Sequence, residues 1–235
     1  MNPRNIKVIF FDLDNTLFDH SRAERSALRT VIRRHPKILA AIDEETFLTT
    51  YDRINQMLWK KMAAGELSAE RLKTMRFELT LDELDANHAD PAELSAQYFN
   101  VYGRQCFEIS GAKEILSYLK PQYPLGILSN GFPNIQENKL RSLDIGSFFN
   151  YKIYSAEVGV GKPLPGIFEF AQKTVGAPAE ELVYIGNSYE EDVLGATSAG
   201  WSAIHFSPGG DVIPDGLADF TIRDLLELKQ IFNRE

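Results

Sequence analysis

The sequence predicts an α/β fold with a parallel sheet, and two observations support this prediction. Short apolar runs alternate with segments of helical length over much of the 235 residues, a pattern typical of βαβ units. The first run, Val8–Phe11, is apolar at every position, as expected of a parallel strand buried on both faces. We therefore predict a doubly wound, Rossmann-like core with helices on both faces of the sheet.

Five strands and the helices between them follow in chain order. The strands are predicted at residues 8–11, 125–128, 151–154, 182–185 and 202–205. Helix-like segments lie at residues 111–119, 134–143, 167–175 and 190–199. Because a helix separates each strand from the next, the connections are crossovers and the strands are expected to run parallel.

A long helical insertion interrupts this alternation after the first strand. Residues 21–107 contain no convincing strand, whereas apolar residues recur at helical spacing and Asp90-Pro91 is a typical helix start. One apolar series is Leu48, Tyr51, Ile54, Leu58 and Met62. We predict a helical cap at residues 19–107, inserted into a core made of residues 1–18 and 108–235.

Composition excludes several classes of protein. The chain is 44% hydrophobic and 25% charged, as in ordinary globular proteins, and no apolar run approaches the roughly 20 residues of a membrane span. The N-terminus lacks an apolar signal stretch, and the single cysteine, Cys106, cannot form an internal disulfide. We therefore expect a cytoplasmic location. The net charge of −8 argues against a nucleic-acid polymer as partner, and the oligomeric state is not predicted.

Two carboxylates follow the first strand, where ligands bind in open parallel sheets. Asp12 and Asp14 can both face one ligand while Leu13 points to the core. One carboxylate can attack a substrate while the other handles a proton, and their repulsion requires a nearby cation. Such a pair alone is as typical of a solvated turn, but its position after an apolar strand favours a functional site.

Polar residues also follow the later strands. Ser129-Asn130-Gly131 could form a hairpin turn, but a helical pattern follows, so a phosphate site at a helix entrance is favoured. Lys162 alone is more typical of a surface residue, although the acids nearby in the predicted fold need a cation. Asn187, which follows Gly186 at the end of the fourth strand, is either a turn former or a metal ligand.

Together these segments resemble the haloacid dehalogenase superfamily, and specifically its phosphatases with an aspartate nucleophile. The first, second and third motifs of that family resemble "FFDLDNTLF", "ILSNG" and "GVGKPLPGIF". The fourth, acidic motif resembles "YIGNSYEEDVLGA". The helical insertion between the first two motifs is similar to the α-helical cap of the superfamily.

The resemblance implies a role for each motif residue. Asp12 would be the nucleophile that forms an aspartyl-phosphate, and Asp14 would protonate the leaving oxygen and then activate water. Ser129 and Asn130 would bind the substrate phosphate. Lys162 would neutralise charge on the nucleophile and on the transferring group, which agrees with the electrostatic needs of phosphoryl transfer.

The same resemblance implies a Mg²⁺ site that departs from the family pattern. Its ligands would be the Asp12 carboxylate, the Asp14 backbone carbonyl, Asn187 and Asp192, with Glu191 as a neighbour that could contribute. The family usually has Asp where this chain has Asn187. The metal-free dehalogenases carry Asn in this region, but they lack the second aspartate that this chain has as Asp14. We therefore expect a phosphatase with a weakened or rearranged Mg²⁺ site.

The substrate is predicted from the cap. The segments "LWKKMAAGELS" and "RLKTMRFELTLDEL", together with Phe132, resemble bacterial pyrimidine 5′-nucleotidases, which implies a nucleoside 5′-monophosphate. Trp59, Arg76 or Phe77 could contact a base, but we favour a cap core that buries Trp59 and Phe77 and leaves Arg76 in solvent. The alternatives are a phosphatase for phosphoglycolate or a sugar phosphate, a metal-free 2-haloacid dehalogenase, and a non-catalytic ligand-binding descendant.

Overall fold

A six-stranded parallel sheet forms the core of the computed structural model, which describes residues 1–86, 89–210 and 216–233. Its order is β3-β2-β1-β4-β5-β6, and every neighbouring pair is parallel. The strands are β1 Val8–Phe11, β2 Leu125–Ser129, β3 Phe149–Tyr154, β4 Leu182–Gly186, β5 Ser202–Phe206 and β6 Phe220–Ile222. The predicted fold class and its five strands are confirmed. The sixth strand was missed because it has three residues, two of them exposed, and hence no apolar run.

The central strand β1 lies at the point where the chain changes direction across the sheet. It pairs with β2 on one side and with β4 on the other. The carboxyl ends of these three strands are therefore neighbours, and ligands of open α/β sheets bind at such a switch point. Apart from Lys162, which follows β3, the predicted site residues lie at or just after the ends of β1, β2 and β4.

Helices in the same compact unit as the sheet confirm the predicted α/β alternation. This unit comprises residues 1–20 and 106–235. Its α-helices, numbered from the start of the whole chain, are α6 Ala112–Leu119, α7 Pro133–Ser142, α8 Ser155–Val158, α9 Pro165–Val175, α10 Gly195–Ser198 and α11 Leu228–Ile231. The predicted helix at 190–199 is instead a π-helical segment, Tyr189–Leu194, followed by α10.

The second compact unit, residues 21–105, is helical in all of its described regular structure. Its helices are α1 His20–Ile32, α2 Pro36–Ala41, α3 Glu44–Ala63, α4 Ala69–Glu83 and α5 Pro91–Tyr102. The side chain of Asp90 accepts a hydrogen bond from the Ala92 amide at 3.0 Å, which confirms the predicted helix start. The domain boundaries at 19 and 107 stay a prediction, because compactness does not show that either part folds alone.

The helical unit buries a polar network together with its aromatic residues. Phe77 is fully buried, as predicted. The prediction that Arg76 faces solvent was wrong, since its side chain is 3% exposed and lies 4.8 Å and 4.9 Å from the ring centroids of Tyr98 and Phe99. A planar guanidinium packs well on aromatic faces, and Nη1 also donates to Asn55 at 3.4 Å. No described helix of either unit is long and apolar enough to cross a membrane, and the cytoplasmic location stays a prediction.

Both ends of the helical insertion meet at one place in the sheet unit. The amide of Asp19 donates to the Phe107 carbonyl at 2.8 Å, and the amide of Ile109 donates to the Leu17 carbonyl at 3.0 Å. Phe18 forms isolated β-bridges with Asp14 and with Glu108. The outgoing and returning chains are therefore held side by side by backbone hydrogen bonds.

We expect Gly126→Ala to lower the free energy of unfolding by about 1–3 kcal/mol, the usual range for overpacking a core. Gly126 lies on β2 beside Phe10 of β1, and a Cβ there would come within 2.3 Å of the Phe10 ring. Urea denaturation measures the change. The matched control is Gly146→Ala, because a Cβ there would find its nearest neighbour at 3.8 Å. Equal stability of the two variants would contradict the prediction.

Candidate active site

Both aspartates lie in the loop directly after β1. The amide of Asp12 donates to the Ile185 carbonyl of β4 at 2.9 Å, so the ladder continues one residue beyond β1. The chain then turns at Asn15, which has a φ of 60°, and the Asn15 amide donates to the Phe18 carbonyl at 2.7 Å. Asp12 is only 6% exposed, whereas Asp14 is half-buried.

A buried ammonium group joins residues from three segments of the site. Lys162 Nζ lies 2.8 Å from Asp12 Oδ1, 2.6 Å from Asp192 Oδ1 and 2.8 Å from the Tyr184 hydroxyl. Lys162 is 3% exposed and Asp192 is 1% exposed, so solvent screens this cluster little. The lysine that the sequence left open as a surface residue therefore faces the first aspartate.

Burial and the neighbouring charges shift the pKa values of this cluster. Desolvation, together with the negative charges of Asp192 and Asp14, raises the pKa of Asp12 to about 7 and outweighs the attraction of Lys162. Burial alone would lower the pKa of Lys162, but Asp12 and Asp192 hold it well above its ordinary value. Lys162 is thus a charged group at neutral pH, placed to offset negative charge on Asp12.

Tyr184 is a site residue that sequence reasoning missed. Its hydroxyl accepts a hydrogen bond from Lys162 and donates one to the Leu128 carbonyl at 2.6 Å. The side chain is 1% exposed and packs in the core of the sheet unit. A tyrosine within an otherwise apolar strand was the available signal, because a buried hydroxyl requires a partner.

Asn130 connects the second and third motifs through its side chain. Its Oδ1 accepts from the Lys162 amide at 2.8 Å, while Nδ2 donates to the Lys162 carbonyl at 2.9 Å and to Glu191 Oε2 at 3.1 Å. Both ends of the amide group thus hold the loop that carries Lys162, and Nδ2 also contacts Glu191. The role of Asn130 in phosphate binding stays a prediction, and with this side chain engaged it would fall to the backbone.

The second aspartate has partners of its own on helix α7. Lys139 Nζ forms an ion pair with Asp14 Oδ1, and Gln136 Nε2 donates to Asp14 Oδ2 at 2.9 Å and to Ser129 Oγ at 2.7 Å. Burial opposes ionisation of Asp14, but Lys139, His20 and these hydrogen bonds hold its pKa below the ordinary value. Sequence reasoning missed Gln136 and Lys139, although polar residues three apart on a helix after the second motif were a visible signal.

Oxygen atoms that suit a hard cation converge beside Asp12. The Thr16 hydroxyl lies 3.4 Å from Asp12 Oδ2 and 3.2 Å from Asn187 Oδ1, so two acceptors from β1 and β4 share one donor. His205 Nε2 lies 3.0 Å from the Asn187 carbonyl oxygen and supports this turn. A carboxylate and an amide oxygen, completed by backbone oxygen and water, fit Mg²⁺. The described residues contain no cluster of three or more His, Cys, Asp or Glu able to hold a metal.

The fourth-motif acids point to different partners. Asp192 accepts from Lys162 through Oδ1 and from the Ser188 amide through Oδ2, at 2.8 Å for the latter. Both oxygens are therefore engaged, and direct ligation of a metal by Asp192, which stays a prediction, would require sharing one of them. Glu191 accepts from Asn130, and burial raises its pKa above the ordinary value.

Known proteins resemble this chain over nearly its whole length. The sequence matches the model of the haloacid dehalogenase-like hydrolases over residues 6–200. The pyrimidine 5′-nucleotidase YjjG of Escherichia coli K12 is 28% identical over 225 residues, covering 95% of this chain and 96% of that protein. A glyceraldehyde 3-phosphate phosphatase of Pyrococcus furiosus is 30% identical over 240 residues, covering 99% of this chain and 95% of that protein.

A solved structure has a fold similar to that of this chain. The crystal structure of the HAD-hydrolase YfnB of Bacillus subtilis, bound to magnesium, superposes with a TM-score of 0.86 at 28% identity. The alignment covers 97% of this chain and 99% of that chain. The chain thus combines a parallel α/β sheet with an acid–lysine cluster at its strand ends. The chain belongs to the haloacid dehalogenase-like hydrolases, and its predicted kinship with phosphoric monoester hydrolases, including pyrimidine 5′-nucleotidases, is confirmed.

We expect Asn130→Asp to lower the free energy of unfolding by about 1–3 kcal/mol, because an oxygen would replace the Nδ2 donor and face the Lys162 carbonyl and Glu191. Urea denaturation at pH 8 measures the loss. Asn138→Asp is the matched control, since Asn138 already acts as an acceptor for Arg141 at 3.1 Å. A stability loss no larger than that of the control would show that the Asn130 links contribute little.

Proposed function

We propose that this hydrolase is a Mg²⁺-dependent phosphatase that acts on a small phosphomonoester through an aspartyl-phosphate. The observation that carries the proposal is the pair of aspartates with separate cationic partners, Asp12 with Lys162 and Asp14 with Lys139. A displaced alcohol must be protonated, whereas a displaced halide need not be. The second carboxylate beside the nucleophile therefore favours ester hydrolysis over dehalogenation.

The two steps of the reaction assign a task to each aspartate. An Asp12 oxygen bonds to phosphorus as the bond from phosphorus to the leaving oxygen breaks, and Asp14 gives that oxygen a proton. Water then attacks the phosphorus, Asp14 takes its proton, and the Asp12 carboxylate is restored as inorganic phosphate leaves. Because Lys139 favours the ionised form of Asp14, the proton for the first step has to arrive with the substrate or from water.

Charge stabilisation comes from residues that are already in place. Lys162 donates to Asp12 and offsets charge on the transferring group, while Tyr184 and Asp192 hold the ammonium in position. The Ser129 hydroxyl, oriented by Gln136, would bind a phosphoryl oxygen. Such preorganised groups stabilise a transition state without reorganising during the reaction.

The magnesium site would use the Asp12 carboxylate, the Asp14 carbonyl and the Asn187 amide oxygen. When bound, Mg²⁺ supplies electrostatic stabilisation of the phosphoryl oxygens. The supporting observations are the convergence of Asp12 Oδ2 and Asn187 Oδ1 on Thr16 and the magnesium in the structure of the related YfnB.

The substrate that we propose is a pyrimidine nucleoside 5′-monophosphate. The relationship to YjjG and the resemblance of the segments around residues 58–84 support this class. A triose or sugar phosphate is the second candidate, because the P. furiosus glyceraldehyde 3-phosphate phosphatase is 30% identical over 99% of this chain. Both candidates are small phosphate esters that require neither a nucleic-acid polymer nor a membrane.

The proposal predicts phosphate release from p-nitrophenyl phosphate in the presence of MgCl₂ and its loss with EDTA. Asp12→Asn should reduce turnover by at least about 1,000-fold, since it removes the nucleophile with little change in shape. Asp144→Asn, an equally isosteric change at an exposed ion pair with Lys113, is the matched control and should keep full activity. Uridine 5′-monophosphate, glyceraldehyde 3-phosphate and 2-chloropropionate then separate the substrate classes. Turnover of Asp12→Asn at the wild-type rate would exclude the covalent mechanism.

The metal site makes a separate prediction. Asn187→Asp should lower the Mg²⁺ concentration for half-maximal activity by about tenfold, because a carboxylate binds Mg²⁺ more tightly than an amide. Calorimetric titration with MgCl₂ gives a readout that does not depend on turnover. Asn138→Asp adds the same charge on α7 away from these ligands and should leave the titration unchanged. Overlapping curves for Asn187→Asp and wild type would show that Asn187 only forms the turn.

A further inference from the structure

Helix α7 lies outside the four motifs, yet it sends two polar side chains into the site. Gln136 is fully buried and Lys139 is 6% exposed. Being three residues apart, they share one face of the helix. Lys139 Nζ pairs with Asp14 Oδ1, and Gln136 Nε2 lies 2.9 Å from Asp14 Oδ2. We refer to Gln136 and Lys139 together as the Asp14 clamp.

The clamp fixes the orientation of the second aspartate. Both Asp14 oxygens accept a hydrogen bond from the clamp, so rotation of the carboxylate would break at least one of them. Each carboxylate oxygen has a second lone-pair site, which leaves room to exchange a proton with a leaving oxygen or with water. Gln136 also donates to Ser129 Oγ at 2.7 Å, so one amide group connects the second aspartate to the proposed phosphate-binding hydroxyl.

Neighbouring residues make room for the clamp, and one of its polar atoms is left without a partner. A Cβ at position 131 would come within 2.3 Å of Gln136 Nε2, so Gly131 leaves the space that this amide occupies. The ammonium of Lys139 lies 5.3 Å from the Phe18 ring centroid. Gln136 Oε1 is buried without a hydrogen-bond partner among the described residues, which is unfavourable for stability.

Stability alone gives no reason for such a pair. Buried ion pairs can often be replaced by apolar residues with no loss of stability, and an unpaired buried amide oxygen adds a further penalty. If the Asp14 carboxylate had no task, apolar residues at positions 14, 136 and 139 together could replace the ion pair and the unpaired oxygen. The chain instead keeps Asp14 and holds it at a fixed place relative to Ser129.

We propose that Gln136 and Lys139 are positioning residues that hold the Asp14 carboxylate where it meets the leaving-group oxygen. This inference rests on the proposed function, in which Asp14 transfers the proton. The inference adds that the effect of the clamp on the cleavage rate depends on the leaving group. An alkoxide leaving group requires the proton, whereas p-nitrophenolate leaves readily without one. Loss of the clamp should therefore slow cleavage of a nucleoside monophosphate far more than cleavage of p-nitrophenyl phosphate.

The test compares the variants Gln136→Met and Lys139→Met with wild type on two esters. Single-turnover release of uridine from uridine 5′-monophosphate and of p-nitrophenol from p-nitrophenyl phosphate isolates the first chemical step. We expect about a 100-fold slower release of uridine, the scale of general acid catalysis and of small positional errors, and less than about a tenfold change for p-nitrophenol. The substrate concentration for half-maximal rate should change little.

Two controls separate positioning from folding. Lys152→Met removes a 2.8 Å ion pair to Glu137 on the same helix and should leave both rates unchanged. Gln136→Met is close to Gln in shape; it loses the two Nε2 hydrogen bonds but also removes the unpaired oxygen, so its free energy of unfolding should fall by no more than about 1–3 kcal/mol. This variant keeps the test valid if Lys139→Met folds poorly.

The outcomes distinguish this inference from the proposed function. If wild type releases neither alcohol with MgCl₂ present, the proposed function fails and the inference fails with it. If wild type is active and the clamp variants slow both esters equally, or slow neither, the inference alone is overturned. Selective loss of the nucleotide reaction, with Lys152→Met unaffected, supports it.

Discussion

The buried ammonium of Lys162 is the interaction on which the rest of the site depends. Three ionisable groups, Lys162, Asp12 and Asp192, are almost fully buried, where an unpaired charge would be strongly destabilising. They are in contact because neighbouring strands of a sheet lie only about 4.7–4.9 Å apart, so residues after β1 and β4 reach the same point. Tyr184 and Asn130 then hold the ammonium and its loop from two further directions.

A second ion pair, between Lys139 and Asp14, helps to explain why the pKa values of Asp12 and Asp14 shift in opposite directions. Burial and the neighbouring acids raise the pKa of Asp12 to about 7 despite Lys162. At Asp14 the charges of Lys139 and His20 outweigh burial, and the pKa falls. The two carboxylates therefore bind a proton over different pH ranges. The lowered pKa of Asp14 depends in part on Lys139 of the helix after β2, and the sequence around the two aspartates gives no sign of this contact.

The sequence predicted those parts of the molecule that depend on local pattern. Apolar runs predicted five strands, and the rule for parallel sheets placed Asp12, Ser129 and Asn187 at adjoining strand ends. The sequence did not predict contacts made by side chains that reach across the sheet, such as the hydrogen bond from Lys162 to the Tyr184 hydroxyl. Nor did it predict the burial of Arg76, because stacking on aromatic rings from other helices leaves no local signature.

The backbone pairing at the two ends of the helical insertion has a consequence for folding. β1 and β2 are neighbours in the sheet, yet residues 21–105 separate them in the chain. Closing a flexible loop of that length has an entropic penalty that grows with the logarithm of its length. Asp19 and Leu17 are hydrogen-bonded to Phe107 and Ile109, so the loop is closed beside the sheet by backbone bonds that do not involve the inserted residues themselves. Because the penalty rises only with the logarithm of length, insertions of different size can join the same two strands at a similar entropic penalty.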